Sequence, residues 1–396
     1  MKIIIIGSGV AGSTLANLLK KDGFEVLIIE KDKVPGGMCK SYYKDGFVYE
    51  YGSHILAMHN CSEKAATFLK NNIQTENTEL TTASFIKNTL TYYPPSIYSA
   101  EKIGLLDQVK KEILDRPKIA DESNFETYLI DKVGPTLYEN FFKNFTKKFW
   151  NIEPKLLSAD WAKIRKLGEK IDSKRMFFNE KWCSYPVNDW NDLFQNLLNG
   201  IDIIYDCEVL KVDTITDKII LKGGEIKYDL LISTMHIDQL FDYKLGKLGY
   251  VGYRIEPVVL EKKFFAKLDD KPVSMTYFPD DTTTYTRVTD YGSFQNKKNY
   301  PYINKTIVTY EYPDQNNRFY SFTDNKNLKL FDDYLKHASK ITNVISFGRS
   351  GLYKYLTSDT TVDMVFRLMK YINNWSKMTN KDRFEAYKIV RGDWSN

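Results

Sequence analysis

The chain has 396 residues, 43% hydrophobic and 27% charged, the proportions of a globular protein long enough for two or three structural units and a large core. A net charge of +5, scattered in short pairs such as Lys20-Lys21, Lys110-Lys111 and Lys147-Lys148, argues against a nucleic-acid surface and suits a small anionic substrate. The four cysteines, Cys39, Cys61, Cys183 and Cys207, form no C-x-x-C and stand apart from the four histidines, and no stretch approaches the roughly 20 apolar residues a bilayer demands. A metal site, a disulfide framework and a transmembrane segment are therefore not expected, and the expected location is the cytoplasm.

The first element is the apolar β-branched run Lys2 to Ile6, which leads straight into Gly7, Gly9 and Gly12 as G-x-G-x-x-G. Ser13 to Lys21 reads as a helix with Leu15, Leu18 and Leu19 on one stripe, and Phe24 to Ile29 as a second buried strand ending in Glu30. Gly7 permits the turn, Gly9 lets the backbone approach a pyrophosphate, and Gly12 lets helix and strand pack closely. The helix N-terminus offers free N–H groups to phosphates, and Glu30 stands where a carboxylate takes ribose hydroxyls. Gly36, Gly37 and Met38 follow a few residues later and look like the second paired-glycine element of FAD-binding proteins. FAD is thus expected over a diffusing nicotinamide cofactor, with Ser13 and Lys31 among its contacts.

Phe47 to Gly52 continues this unit, and His54 follows a small-residue turn expected to face the cofactor. Ser62 to Asn72 is helical, and Phe85 to Tyr93 reads as one strand stopped by Pro94-Pro95. Ser99 to Lys111, Asn124 to Lys132 and Pro135 to Phe149 have helical spacing, the last with Phe141, Phe145 and Phe149 on one face and Trp150 at its end. Met176 to Trp182 and Tyr185 to Val187 return as strand and turn, before a helix from Trp190 to Asn199. Short strands then run at 201–205 and 208–213, Lys218 to Leu221 and Glu225 to Tyr228 form a hairpin around Gly223-Gly224, and Tyr228 to Thr234 re-enters the first unit as a buried strand. Lys247 to Phe265, Ser274 to Phe278, Thr284 to Asp290 and Ile307 to Tyr312 suggest an antiparallel sheet rich in Tyr, Thr and Val. Asn343 to Phe347 is a last buried strand, a helix from Val362 to Trp375 packs back, and the polar tail after Ser376 reads as partly loose.

No hydrolytic motif is present, and with so few histidines the flavin is the reactive group that the sequence supplies. Tyr51-Gly52-Ser53-His54, Phe141 to Trp150, Tyr285-Thr286-Arg287-Val288, Thr309 to Tyr312 and Phe347 to Leu356, in that order after a FAD fingerprint, resemble the UDP-galactopyranose mutase family over nearly the whole chain. The resemblance implies a reduced flavin whose N5 attacks the anomeric carbon of a nucleoside-diphosphate sugar, so that pyranose and furanose rings interconvert without net redox change. It implies Arg287 on the diphosphate with Tyr312 and Tyr355, Arg349 near the flavin with Gly348 and Leu356, His54 facing the isoalloxazine, and Trp150 against the sugar. It also marks departures. Phe145 stands for a usual Tyr, Lys170 or Arg175 for a substrate-binding Arg, Trp182 for a base-stacking aromatic, and Thr357 for an Asp.

The expected fold is α/β: a Rossmann-type FAD-binding domain from residues 1-60, 186-238 and 340-396, an inserted mainly helical substrate domain from 61-170, and an antiparallel β-sheet substrate domain from 171-185 and 239-339. The partner is a nucleoside-diphosphate sugar, with a homodimer as the assembly considered. The competing readings are an amine-oxidase-like FAD oxidoreductase and a non-catalytic nucleotide-sugar-binding homologue.

Overall fold

The computed structural model describes residues 1–57, 61–169, 171–172, 183–262, 266–295 and 304–392. The apolar run Lys2–Ile6 is the middle strand of a five-stranded parallel sheet in the order Val344–Ser346, Leu230–Ser233, Lys2–Ile6, Glu25–Ile29, Asp202–Ile204. Ile3, Ile4 and Ile5 are fully buried, as a strand covered on both faces requires. The first helix, Val10–Lys21, buries Leu15, Ala16 and Leu19 completely and packs against helices Asn191–Leu198 and Ser358–Ile372. Each such leucine contributes roughly 1.5–3 kcal/mol of burial. The helix begins three residues before Ser13, directly at the glycine loop.

A seven-stranded sheet forms the second layer, in the order Tyr320–Ser321, Tyr250–Glu261, Lys305–Asp314, Arg287–Asp290, Met275–Tyr277, Thr82–Ile86, Thr89–Tyr92. All neighbours run antiparallel except Met275–Tyr277 and Thr82–Ile86, which run parallel, so the sheet is mixed. The strand read over Phe85 to Tyr93 is instead a hairpin, Thr82–Ile86 and Thr89–Tyr92. Lys87 and Asn88 turn it with φ of 49° and 57°, the double positive φ of a tight hairpin turn. A boundary at residue 61 therefore groups with the helices a hairpin that pairs with the sheet.

Between these layers' sequence segments lie the helices. Ser99 to Lys111, read as one helix, is two, Ile97–Lys102 and Leu106–Asp115, broken at Gly104 with φ 75°. Pro135 to Trp150 is continuous but widens into a π-helical stretch at Tyr138–Lys143 before Asn144–Trp150. Phe141 and Phe149 are buried as the stripe predicts, whereas Phe145 is only half-buried. The tail is not loose. Asn380–Arg391 is a helix capped by Thr379 and Asp382, and it buries Arg383, Ala386, Tyr387 and Val390. Helix Asn325–Ala338 was not read from the sequence. The strand read at Met176 to Trp182 lies outside the described residues. Among the described residues no helix is long and apolar enough to cross a membrane.

One hydrophobic core surrounds the parallel sheet and reaches Ile307 of the large sheet and Tyr291 just past its strand Arg287–Asp290; a second lies beneath the helices and includes Val251, Tyr253 and Ile86. The large sheet thus shares in both, and the main cleft opens where they meet.

Arg383 is 2% exposed, with Nε donating to Ser339 O at 2.7 Å and its guanidinium also reaching the carbonyls of Trp375 and Met378. Arg383→Ala should lower stability by about 2–4 kcal/mol, because buried carbonyls lose a charged donor. Thermal and urea denaturation of the purified protein check this; a change under about 0.5 kcal/mol would contradict it.

Candidate active site

A cleft of about 1260 Å³ runs from the glycine loop to the aromatic helix, more than the roughly 300–1,000 Å³ of a single-ligand pocket. At its dinucleotide end the glycine loop is packed to the limit. A Cβ on Gly12 would stand 1.9 Å from Gly7 O, and one on Gly7, at φ 97°, would stand 2.2 Å from Thr234 Oγ1. Gly9 bridges Gly36, whose N–H donates to Ser8 O at 2.9 Å, so the two glycine elements meet over the N-terminus of the first helix. This bare backbone, free N–H groups and the helix dipole suit a pyrophosphate. Glu30 sits at the strand end as expected, and its carboxylate is already oriented. Oε2 accepts from Ser8 N at 2.7 Å and Ser8 Oγ at 2.6 Å, and Oε1 accepts from Asp32 N at 2.9 Å. Lys31, Gly37 and Met38 line the same end.

The other end gathers cations and phenols. Arg287 lies opposite Glu311 on the neighbouring strand, with Nε 2.8 Å from Oε1, and Nη1 donates to Tyr277 OH at 3.3 Å. Burial raises the Glu311 carboxyl even against the pull of Arg287. Arg349 donates to Phe319 O at 2.9 Å and Leu356 O at 3.3 Å and lies over the rings of Tyr320 and Tyr355, 4.9 and 4.6 Å from their centres; its buried Nε has no partner. Arg165, just past the short helix Asp160–Ile164, donates to Tyr355 OH at 3.0 Å. Burial alone would raise the Tyr355 phenol, but Arg165, Arg349 and Arg287 outweigh it and hold it below the usual tyrosine range. The cleft here carries a positive potential, which suits a diphosphate.

Trp150, Trp161, Tyr320 and Tyr355 form one aromatic wall, with centroids 5.2 Å apart for Trp150–Trp161, 5.3 Å for Trp161–Tyr355 and 5.7 Å for the stacked Tyr320–Tyr355. Phe145 faces Tyr277 at 5.9 Å across the cleft. The hairpin between Tyr277 and Arg287 is tied to the aromatic helix by Lys148. Its Nζ donates to Phe278 O at 2.8 Å, Asp280 O at 2.6 Å and Thr283 O at 3.2 Å, and burial draws its pKa down to about 8.

The structure thus brings His54, Arg287, Arg349, Trp150, Phe145, Tyr355 and Leu356 to one cleft. Others expected there are elsewhere. Ser13 is fully buried and donates to Ser8 O at 2.8 Å; Gly348 lies behind the cleft, against Ala11 and Thr234. Tyr312 is on the far face of its strand, with Arg254 4.1 Å over its ring, because side chains alternate and Glu311 takes the cleft side. Thr357 is the N-cap of helix Ser358–Ile372, its N–H donating to Thr360 Oγ1 at 3.0 Å, so the departure from Asp keeps a helix cap. Lys170, Arg175 and Trp182 lie outside the described residues. The sequence reading missed Arg165, Tyr277, Glu311 and Tyr320. Strand alternation beside Arg287 would have exposed Glu311, whereas nothing in the pattern separates Arg165 from the surrounding lysines.

Residues 140–355 match the family model described as UDP-galactopyranose mutase, and residues 5–71 match that of an NAD(P)-binding Rossmann-like domain. A dTDP-fucopyranose mutase of Escherichia coli is 28% identical, over 94% of this chain and 99% of its own length. A probable UDP-galactopyranose mutase of Klebsiella pneumoniae is 24% identical, over 91% of each. The fold matches the crystal structure of a reduced UDP-galactopyranose mutase with a TM-score of 0.78 over 98% of both chains at 16% identity. A putrescine oxidase matches with a TM-score of 0.63, over 94% of this chain and 98% of its own.

Two outcomes follow from this geometry. Arg165→Met should weaken binding of a free nucleoside diphosphate by about ten- to a hundredfold, the worth of one charge-assisted contact, while Tyr312→Phe should leave it within twofold; calorimetric titration distinguishes them. Lys148→Met should loosen the hairpin and raise KM several-fold with kcat little changed, and a change confined to kcat would contradict the tether.

Proposed function

Since the chain belongs to the UDP-galactopyranose mutase family of FAD-dependent mutases, we propose that it interconverts the pyranose and furanose forms of a nucleoside-diphosphate sugar. The observation that carries this reading is the convergence of Arg165, Arg287 and Arg349 with the Tyr355 phenol in the cleft that also holds the glycine loop. A diphosphate is the ligand that such a set recognises.

The glycine loop, Glu30 and the Gly36-Gly37 turn would hold the FAD pyrophosphate and ribose, and the unpartnered Arg349 Nε and His54 would face its ring system. Reduced FAD supplies a nucleophilic N5 and so lets ring opening proceed without net oxidation. Cys39, which lines the cleft, is buried, and burial together with Glu50 pushes its thiol up to about 12, so it is held as an unreactive thiol.

The cationic end stabilises the departing diphosphate and keeps it bound for return. Arg287, held by Glu311 and Tyr277, supplies a preorganised fork; Arg165 and Tyr355 share the developing negative charge. The wall of Trp150, Trp161, Tyr320 and Tyr355 gives apolar area for a sugar face and limits water around the reacting carbon. His54 is held neutral by burial and by Arg349 and Arg287, which lower its pKa to about 3, so it acts as a hydrogen-bonding group and not as a cation.

The relatives' names offer a UDP-linked galactose and a dTDP-linked 6-deoxy sugar as the substrate to compare. The likeness to putrescine oxidase keeps amine oxidation as the second reading. The guanidiniums of Arg165, Arg287 and Arg349 disfavour it, since they repel a protonated amine.

Dithionite-reduced enzyme incubated with UDP-galactopyranose or dTDP-fucopyranose should yield the furanose isomer of one of them by HPLC, with no product from oxidised enzyme. Equal turnover without reductant, or substrate-dependent oxygen consumption, would overturn the mutase reading.

A further inference from the structure

Glu50 ends the strand Phe47–Glu50 and is fully buried, yet its carboxyl lies one residue layer below the cleft. Its two oxygens have a complete set of neighbours. Oε1 accepts from the Tyr185 hydroxyl, whose own oxygen accepts from Gln295 Nε2 at 3.1 Å, so the phenol hydrogen is turned toward Glu50. Oε2 accepts from the His54 main-chain N–H at 3.1 Å and lies 3.8 Å from His54 Nδ1. That Nδ1 is buried and without a hydrogen-bond partner. Trp190 fixes the histidine from the other side, donating Nε1–H to His54 O at 3.0 Å and standing edge-on to its ring at 6.3 Å.

A buried carboxyl beside a buried imidazole can be an ion pair, a carboxylate accepting from Nδ1–H, or a neutral pair in which the acid donates to Nδ1. The Gly52 carbonyl near the ring acts in favour of a ring N–H. Burial raises Glu50 well above the carboxylate range, and burial with Arg349 and Arg287 depresses His54, so both groups favour the neutral pair. A neutral Glu50 has one hydrogen to place. Tyr185 and the His54 main chain are already donors to it, and the acceptor left beside Oε2 is Nδ1. A ring adjustment of about 1 Å brings the two to the 2.7–2.9 Å of an ordinary bond.

We propose that Glu50 is a positioning residue whose carboxylic acid donates to His54 Nδ1, fixing the neutral imidazole with its hydrogen on Nε2 and so presenting an N–H donor to the cleft. The inference rests on His54 facing the reacting groups. An N–H at that point meets an acceptor atom of cofactor or sugar, whereas the other tautomer would present a lone pair and repel it. The deep acid is what selects between them.

The test is long-range ¹H–¹⁵N correlation of the FAD-loaded protein labelled with ¹⁵N-histidine, with His54 assigned by its loss in His54→Gln. The wild type should show a neutral His54 protonated at Nε2 between pH 6 and 8. Glu50→Gln, whose amide can still donate to Nδ1 but no longer accepts from the His54 main-chain N–H, should keep the Nε2-protonated tautomer and lower turnover less than Glu50→Leu does. Glu50→Leu should mix or reverse the tautomers and lower kcat at least tenfold with KM little changed. An imidazolium or an Nδ1-protonated ring in the wild type, or an unchanged tautomer in Glu50→Leu, would overturn the proposal. Failure of the mutase reading would look different: no variant would give furanose product, while the tautomer pattern would still answer for Glu50.

Discussion

A steric limit at the glycine loop fixes where the rest of the molecule can act. With Gly12 facing the Gly7 carbonyl so closely that a methyl group would stand 1.9 Å from the oxygen, the first helix lies hard against the middle strand of the parallel sheet. Its N-terminus is then held at the mouth of the cleft, and Gly36 is drawn to Gly9 beside it. A larger residue would push helix and strand apart and carry the phosphate-facing N–H groups with them. Thr234 follows the strand that pairs directly with this middle strand, and Arg349 follows the edge strand one position further out, so both reach the cleft through the same parallel sheet.

The far end of the cleft follows a different rule. There the fold gathers charge in low-dielectric surroundings and neutralises only part of it. Glu311 offsets Arg287, while Arg349 is held by two carbonyls and aromatic faces. Carbonyls and π-faces orient a guanidinium without cancelling its charge. The result is a set of donors fixed in place yet electrostatically hungry, which is the condition for strong interaction with a ligand whose negative charge grows during reaction. The histidine turn shows the opposite economy: both Glu50 and His54 are driven to neutrality, so this part of the cleft contributes direction more than charge.

How much of this the sequence disclosed depended on the range of the interactions involved. The first forty residues carried a local signature, strand, glycine loop, helix, strand and acid, and every part of it is present, because each depends on neighbours a few positions away. The FAD cofactor and the mutase family were legible for the same reason. Features set by distant pairing were not. The hairpin at Thr82–Tyr92 looked like one strand because Lys87-Asn88 lacks the glycine that usually marks such a turn. Tyr312 was placed in the cleft by likeness, although Thr309-Tyr310-Glu311-Tyr312 contains its own correction: if one side chain of the alternating run faces Arg287, its neighbours cannot. Arg165 gave no signal, since its role comes from Tyr355, 190 positions away. The tail was taken as loose from its polarity, but the Thr379 and Asp382 cap and the buried Arg383 turn a polar segment into a packed helix.

The order of strands in the parallel sheet also governs how the protein comes into being. Lys2–Ile6, translated before the other strands of this sheet, is the central one, and the strand that pairs with its inner neighbour at the sheet's edge is Val344–Ser346. At about 5–20 residues per second, synthesis of the intervening chain takes tens of seconds. Throughout that interval the isoleucine run has Glu25–Ile29 on one side and nothing on the other until Leu230–Ser233 emerges. The segment that will cradle the cofactor therefore spends its early life as an unsaturated, strongly apolar strand edge, the kind of surface that aggregates or recruits chaperones. The cleft itself is completed only when residues from the carboxyl-terminal part of the chain, Arg349 and Leu356 among them, are in place.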